Sequence, residues 1–275
     1  MDLTDCVLDH LRRVANLPDL TGTRYSLESE IGRGGLGVVY AAWDQQLNRR
    51  VALKVVESSA ASEARLIAQL EHPGIVPIYD AGILEDGRSF YAMKLIGGAR
   101  LDRFLQLSHS LGERLLLIRR IGEALAFAHA RGILHRDLKP HNVMVGEFGE
   151  VYVMDWGVET VTGTPGFRAP EGIVDDRSDL YSLGAILQFA LPAKAPAALR
   201  AVAAKATSTA PGARYPSVLA MLQDLDRFQD GCAVSAWSEP LWHRLSRFAS
   251  RNAILLWLLG AYAAVKFSLF FLRTL

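Results

Sequence analysis

A glycine-rich run from Gly32 to Val39 reads GRGGLGVV and fits the pattern G-x-G-x-x-G-x-V between two predicted strands. Glycines allow a tight turn and let backbone N–H groups approach phosphate oxygens without a Cβ in the way. The run alone is a weak signal, because a glycine-rich hairpin is often only a turn. A dinucleotide-binding fold would need a helix directly after the loop, and here a strand is predicted instead. The run therefore indicates a hairpin that could cover phosphates.

Lys54 ends the predicted strand that follows, seventeen residues after Gly37. A single lysine in a strand is usually a solvated edge residue. However, the strand of this lysine is only two hairpin arms away from the glycine run. The lysine could therefore reach phosphates that lie under the loop. Glu63 on the next predicted helix would hold it by a charge-assisted hydrogen bond. Glu57 and Glu71 are alternatives, but the apolar stripe of that helix favours Glu63.

The strongest pattern is the run HRDLKPHN from His135 to Asn142, which is followed thirteen residues later by Asp155-Trp156-Gly157 and then by Ala169-Pro170-Glu171. Together with the glycine run, these are four motifs in a fixed order along the chain. In these motifs and their order, the chain resembles the eukaryotic-type serine/threonine protein kinases of bacteria, over roughly residues 25–231. The sequences of the glycine run and of the segment GEFGEVYVMDWG resemble those of the membrane-anchored members of that family.

The resemblance implies a set of roles for the transfer of a phosphoryl group from ATP, with Mg²⁺, or Mn²⁺ in its place, as the metal. Lys54, braced by Glu63, would hold the α- and β-phosphates. Asp137 would orient or accept the proton of the substrate hydroxyl, and Lys139 would neutralise the transferring group. Asn142 and Asp155 offer oxygen ligands and would bind the metal. The backbone that would cover the phosphates belongs to Gly32, Arg33, Gly34, Gly35, Leu36 and Gly37.

The resemblance also implies a site for the adenine base. Met93 would guard the pocket, with the Lys94 carbonyl and the Ile96 N–H on the hinge. The base would lie between Val39, Ala52 and Met144. Two further roles are structural: Asp179 would anchor the backbone of the catalytic loop, and Glu171 would pair with Arg214.

The segment after the metal-binding triplet departs from the family. Trp156 replaces a phenylalanine, which is a change at a packing position. Only 17 residues run from Asp155 to Glu171, which is short for the family. Thr164 resembles the threonine that contacts the catalytic aspartate, so Thr160 and Thr162 are the candidates for autophosphorylation. Arg136 would be either the receptor of such a phosphate or a structural arginine.

The larger lobe is also shortened. Only Pro192 to Pro196 separates two predicted helices where related kinases insert a further helix and long loops. The missing helix would expose apolar surface, so either a second copy or another partner covers it, or the domain packs differently.

Periodicity predicts the elements that must position these residues. They indicate an α+β class with a small β-rich amino lobe and a helical carboxyl lobe, and the resemblance implies that this is the bilobal protein-kinase fold. The predicted strands are 25–31, 38–43, 50–56, 76–81 and 90–95, with a hairpin at 143–145 and 151–154. The predicted helices are 5–15, 60–70, 101–107, 111–131, 179–190, 196–206 and 216–228. The domain prediction is an amino-terminal lead at 1–24, the two lobes at 25–97 and 98–231, a basic juxtamembrane segment at 232–252 and a transmembrane helix at 253–272.

The carboxyl-terminal segment predicts attachment to a membrane. Ala253 to Leu272 holds 20 residues with Lys266 as the only charge, which as a helix matches the thickness of a bilayer. A buried or docked helix is the alternative. Arg244, Arg247 and Arg251 precede the segment and favour a single-pass protein with the kinase domain in the cytoplasm. We found no secretory signal at the amino terminus.

Composition narrows the class of function. The chain of 275 residues has 30 basic and 29 acidic residues, so the net charge of +1 gives no electrostatic reason to expect nucleic acid as a partner. Two cysteines are too few for a disulfide framework and suggest a reducing compartment. The sequence favours a protein kinase that acts on serine or threonine. An ATP-binding pseudokinase scaffold and a kinase of a small-molecule or lipid hydroxyl remain alternatives.

Overall fold

A computed structural model describes residues 17–34, 37–56, 66–107, 109–156, 166–240 and 252–274. Several predicted features lie outside these ranges. They are the helix at 5–15, most of the helix at 60–70 with Glu63, the loop residues Gly35 and Leu36, the three threonines at 160, 162 and 164, and the three arginines at 244, 247 and 251.

The amino lobe is one antiparallel sheet. Its strands are β1 (Tyr25–Gly34), β2 (Gly37–Asp44), β3 (Arg49–Val56), β4 (Ile78–Ile83) and β5 (Ser89–Lys94), in the order β1-β2-β3-β5-β4. All five strands were predicted, with ends that differ by at most three residues. Alternating apolar residues such as Tyr40 and Leu53 face a buried layer, because successive side chains of a strand point to opposite faces.

A second, small sheet lies at the start of the carboxyl lobe. It consists of β6 (Gly98–Arg100), β7 (Val143–Gly146) and β8 (Val151–Val153), all antiparallel. The hairpin of β7 and β8 was predicted, whereas β6 was not. Val153 also forms a parallel bridge with Ile75, which lies between the helix at 66–68 and β4. The strand that leads to Asp155 is thus fixed to both lobes.

The carboxyl lobe is helical. Its helices are α1 (Leu101–Phe104), α2 (Leu111–His129), α3 (Asp176–Ala190), α4 (Ala197–Ala206) and α5 (Val218–Gln229), with single 3₁₀ turns at Pro140–Asn142 and Pro211–Ala213. Ser110 and Glu113 cap the first turn of α2 reciprocally, at 3.2 Å and 2.7 Å, which satisfies backbone donors that a helix start leaves unpaired. The apolar faces of α2, α3, α4 and α5 meet in one core.

The short connection between α3 and α4 is present as predicted, since α3 ends at Ala190 and α4 begins at Ala197. Phe189, in the last turn of α3, is about half exposed (48%). Its ring contacts Phe167 edge to face, with 6.2 Å between the ring centroids. Coverage of this surface by a second copy or another partner stays a prediction.

The carboxyl-terminal segment forms a helix, α6 (Ala253–Thr274), at the predicted place. Its described side chains are exposed, as Ile254 (81%) and Trp257 (77%) show. Over the residues that the structure describes, however, no helix reaches the length and hydropathy needed to cross a membrane. The predicted transmembrane helix is therefore not confirmed.

Candidate active site

The glycine hairpin is formed by the end of β1 and the start of β2, where Gly34 pairs with Gly37. Gly37 has a φ of +133°, and a Cβ there would lie 2.2 Å from the Val55 carbonyl oxygen, so only glycine fits. A strand follows the loop, as predicted. The Arg33 side chain is ion-paired with Glu30 at 2.7 Å, so only its backbone is left for the predicted contact with phosphate.

Lys54 lies on β3 opposite Val39 of the hairpin strand β2. Its side chain is buried, and Nζ donates a hydrogen bond to Oδ1 of Asp155 at 2.9 Å. These residues are 101 positions apart in the sequence, so the fold brings a predicted phosphate-binding cation and a predicted metal ligand into direct contact. Glu63, the predicted brace, lies outside the described residues.

The catalytic loop gathers its polar side chains around Asp137. Lys139 Nζ donates to Asp137 Oδ2 at 2.7 Å. Asn142 Nδ2 donates to the Asp137 carbonyl oxygen at 2.8 Å and to Oδ2 at 3.3 Å. The Asn142 side chain therefore uses its amide nitrogen within the loop, and its amide oxygen is the atom available to ligate a cation.

The metal site was predicted from Asn142 and Asp155. The Asn142 carbonyl accepts a hydrogen bond from the N–H of Met154 at 2.9 Å, which places the two ligands on adjoining loops. Within the described ranges there is no group of three or more His, Cys, Asp or Glu that could hold a metal ion. One carboxylate and one amide fit Mg²⁺, because this ion keeps several waters and usually binds one or two protein ligands together with substrate phosphates.

Asp179, on α3, anchors the backbone of the catalytic loop, as predicted. Its buried carboxylate accepts hydrogen bonds from the backbone N–H of His135 at 2.7 Å and of Arg136 at 2.9 Å. His129 Nε2 lies 2.8 Å from the same carboxylate. Arg136 has a φ of +72°, which is uncommon for a residue other than glycine. The Asp179 carboxylate therefore holds the loop in an unusual backbone conformation.

His135 and Trp156 are fully buried next to the catalytic loop. His135 Nε2 lies 2.9 Å from the Met154 carbonyl oxygen, and burial lowers the pKa of this imidazole, which favours the neutral ring. Trp156 is fully buried, with its ring centroid 4.9 Å from that of His135. The indole N–H of Trp156 donates to the Val153 carbonyl at 3.0 Å, a bond that a phenylalanine cannot make.

The predicted adenine pocket lies beside the hinge. Met93 on β5 is opposite Ala52 on β3. Val39, Leu95, Ile96 and Met154 pack against the buried cluster that these two residues form with Val76 and Tyr91. Met144, the predicted residue below the base, lies on β7, is partly exposed and is not part of this cluster. The structure thus brings together the predicted pocket residues of the amino lobe, and the carboxyl-lobe residue that packs against them is Met154, which was not predicted.

Glu171 and Arg214 form the predicted structural ion pair. The two terminal guanidinium nitrogens of Arg214, Nη1 and Nη2, donate to the Glu171 carboxylate at 2.7 Å and 2.6 Å. These bonds lower the pKa of Glu171. Arg214 is buried and also donates to the carbonyls of Arg177 and Ser208, so the pair ties the end of the activation segment to the lobe.

Two residues near the site were not predicted. His129 contacts Asp179, and its signal in the sequence was a lone histidine at the end of the apolar helix α2. Tyr152 on β8 accepts a hydrogen bond from Lys94 Nζ, and no sequence pattern marked this contact, because the two residues are 58 positions apart.

Comparison with known proteins places these features in one family. Residues 25–214 match the family model of the protein kinase domain. The serine/threonine-protein kinase PknD of Chlamydia muridarum is 34% identical over 226 residues, covering 60% of this chain and 24% of that protein. The DNA damage-responsive serine/threonine-protein kinase RqkA of Deinococcus radiodurans is 38% identical over 201 residues, covering 61% and 30%. The serine/threonine-protein kinase PknA of Mycobacterium tuberculosis is 36% identical over 205 residues, covering 63% and 48%. The chain therefore spans a quarter to a half of the length of these relatives.

Proposed function

Because the chain belongs to the protein kinase family, we propose that it transfers the γ-phosphoryl group of ATP to the hydroxyl of a serine or threonine in a protein. The observation that carries the proposal is one connected set of polar contacts. Lys54 forms an ion pair with Asp155. The backbone N–H of Met154, the residue before Asp155, donates to the Asn142 carbonyl. The Asn142 side chain donates to the Asp137 carbonyl, and the Asp137 carboxylate forms an ion pair with Lys139. The five side chains predicted to position the reactants and to neutralise charge, Lys54, Asp137, Lys139, Asn142 and Asp155, all belong to this set.

Asp137 is the group that would meet the acceptor hydroxyl. Its carboxylate is partly exposed, at 15% of the side-chain surface, and can orient the hydroxyl and accept its proton. Lys139, 2.7 Å away, places a positive charge beside the transferring oxygens, where negative charge is spread in the transition state. Asp137 would therefore act on the acceptor hydroxyl, and Lys139 on the phosphoryl group that is transferred.

Lys54 and the metal ligands would hold the donor. Lys54 is positioned beneath the glycine hairpin, and its ammonium can contact the phosphates while remaining close to Asp155. Asn142 and Asp155 would hold Mg²⁺, or Mn²⁺ in its place, since both ions prefer oxygen ligands. When bound, the metal neutralises charge on the phosphates. A scaffold that only binds ATP has no physical need for all four of Lys54, Asp137, Asn142 and Asp155.

The proposal is tested by phosphoryl transfer from γ-labelled ATP with Mg²⁺ and a general protein acceptor, using the full chain. We expect the Asp137→Asn variant to keep its ATP affinity and to lose transfer by about 10²- to 10⁴-fold, the usual contribution of a general base. Asp226→Asn is the matched control, because Asp226 is a surface acid paired with Arg119 in the carboxyl lobe. This control should transfer at the wild-type rate.

The result also separates the alternatives. Equal transfer by the wild-type and Asp137→Asn proteins would remove Asp137 from the mechanism. ATP binding without any transfer would indicate a pseudokinase scaffold. Transfer only to small hydroxylated molecules or lipids, tested beside the protein acceptor, would indicate the third class of function.

Localisation is a separate proposal: a single-pass protein attached through residues 253–272, with the kinase domain in the cytoplasm. Its support is the apolar sequence of this segment and the exposure of its described side chains. Carbonate extraction tests it. The wild-type protein should stay in the membrane pellet, and Leu256→Arg with Leu259→Arg should release it. Phe148→Arg, at an exposed turn of the kinase domain, is the control and should stay in the pellet.

A further inference from the structure

One side-chain contact crosses from the amino lobe to the carboxyl lobe behind the predicted adenine pocket. Lys94 Nζ donates a hydrogen bond to the Tyr152 hydroxyl. The same ammonium lies 4.7 Å from the centroid of the Tyr152 ring, so a cation–π attraction is added to the hydrogen bond. Tyr152 is buried, at 7% exposure. Lys94 is only partly buried, so the tyrosine is the buried side of the contact.

Both residues stand at positions that set the shape of the nucleotide site. Lys94 is the last residue of β5 and begins the hinge. Tyr152 lies directly across the hairpin from Met144, the predicted floor of the pocket. Three residues after Tyr152 the chain reaches Asp155, the predicted metal ligand. The contact therefore connects the hinge wall of the pocket with the strand pair that carries its floor.

The other end of the hinge is fixed by backbone contacts. The N–H of Glu147 donates to the Gly97 carbonyl at 3.2 Å, and Gly98 pairs with Gly146. Gly98 has a φ of +142°, and a Cβ there would lie 2.1 Å from the Val145 carbonyl oxygen. The backbone thus holds residues 97 and 98 against β7, while at residue 94 the Lys94 side chain makes the corresponding connection.

Charge favours the contact over the ordinary pH range. The hydrogen bond to Tyr152 raises the pKa of Lys94, and nearby Glu150 acts in the same direction. These neighbours therefore favour the charged form of the ammonium. A hydrogen bond with one charged partner is about twice as strong as a neutral one.

We propose that Lys94 and Tyr152 form a strut that sets the distance between the hinge and the floor of the adenine pocket, and so are positioning residues for ATP. The inference rests on the proposed function, since it concerns the same nucleotide site. The strut acts on binding of the nucleotide and not on the chemistry at Asp137, because neither residue belongs to the contacts around that carboxylate.

The test uses the full chain and three variants: Lys94→Met, Tyr152→Phe and the double variant. Tyr152→Phe removes only the hydroxyl and keeps the ring in the core. The dissociation constant of Mg–ATP is measured by calorimetry, and kcat is measured at saturating ATP. We expect each single variant to weaken ATP binding by about 5- to 10-fold, part of the value of one charge-assisted hydrogen bond. We expect kcat to stay within about twofold, and the double variant to bind no more weakly than the weaker single variant.

Lys205→Met is the matched control. Lys205 is also half-buried and lies 4.3 Å from the ring centroid of Tyr215, on the far side of the carboxyl lobe. This variant loses the same kind of contact and should bind ATP as tightly as the wild type. Thermal unfolding of all variants separates loss of affinity from loss of fold, because the strut predicts a change in affinity at temperatures where every variant is folded.

The outcomes distinguish the two proposals. A wild-type protein that binds no Mg–ATP would refute the proposed function and the strut with it. A wild-type protein that binds ATP, with Lys94→Met and Tyr152→Phe binding equally well, would overturn the strut alone. Additive losses in the double variant would also overturn it, because two residues that act through one contact must show coupling.

Discussion

Replacing Asp179 by asparagine changes the anchor of the catalytic loop without changing its size. The carboxylate receives the backbone N–H groups of His135 and Arg136 on different oxygens, and His129 on one of them. Asparagine offers one oxygen and one NH₂ group, so at least one buried donor would face another donor. A buried donor without a partner costs about 1–3 kcal/mol, and the remaining bonds lose their charge assistance. Together we expect a loss of about 2–4 kcal/mol in the free energy of unfolding.

The catalytic consequence should follow from the position of the loop. Asp137 lies one residue beyond the anchored backbone, and a displacement of about 1 Å can cost about 100-fold in rate. Denaturant unfolding and transfer from labelled ATP measure the two effects, with kcat falling by about 10- to 100-fold and ATP affinity nearly unchanged. Asp175→Asn is the control, because Asp175 caps the start of α3 through the Ser178 N–H at 2.9 Å and asparagine caps equally well. A stable, fully active Asp179→Asn protein would refute the argument.

Three further changes test other parts of the structure. Asp155→Ala should abolish the Mg²⁺ dependence of ATP binding, and equal Mg²⁺-dependent affinity in both proteins would contradict the metal role. Arg214 lowers the pKa of Glu171 below its ordinary value of 4.5. The stability that this pair adds is therefore present above about pH 4.5 and lost as the pH falls through the lowered pKa. The unfolding free energy of the Glu171→Gln variant should accordingly depend less on pH in that acidic range than that of the wild type. An equal pH dependence in both proteins would show that the pair adds no stability. Trp156→Phe loses the bond to Val153 and ring volume, so denaturant unfolding should show a loss of about 1–3 kcal/mol; unaltered stability would show that the indole N–H contributes nothing.

Sequence patterns predicted most strands and helices well, because neighbouring residues encode the formation of these elements. The strands β1 to β5 alternate apolar and polar residues or carry β-branched runs, and glycines or turn residues separate them. Helix α2 has an apolar stripe and a capping serine, Ser110. In contrast, β6 was missed because a strand of three residues has no measurable period. Its pairing with β7 is decided by the close approach of Gly98 to Val145, which only the folded chain shows.

The candidate site was predictable in part for the same reason. Asp137, Lys139 and Asn142 are neighbours in sequence, so their chemistry can be recognised before their geometry is known. The resemblance to protein kinases supplied the partnership of Asp179 with the catalytic loop, which no local pattern encodes. The contact of Lys94 with Tyr152 had neither a motif nor a family rule behind it. Strands β5 and β8 are far apart in sequence and meet there only because the two sheets pack together.

The position of Asp179 along the chain has a consequence for synthesis. A ribosome releases the amino-lobe sheet first, then the loop with Asp137 and the triplet with Asp155, and only later α3. A nascent chain that ends just after Asp155 already contains the described groups proposed to touch ATP or its metal. It lacks the carboxylate that receives the backbone N–H groups of His135 and Arg136. Because domains complete their folding as the chain lengthens, we expect full phosphoryl transfer only once α3 has emerged and packed. Translation itself would thus delay full activity until the larger lobe exists.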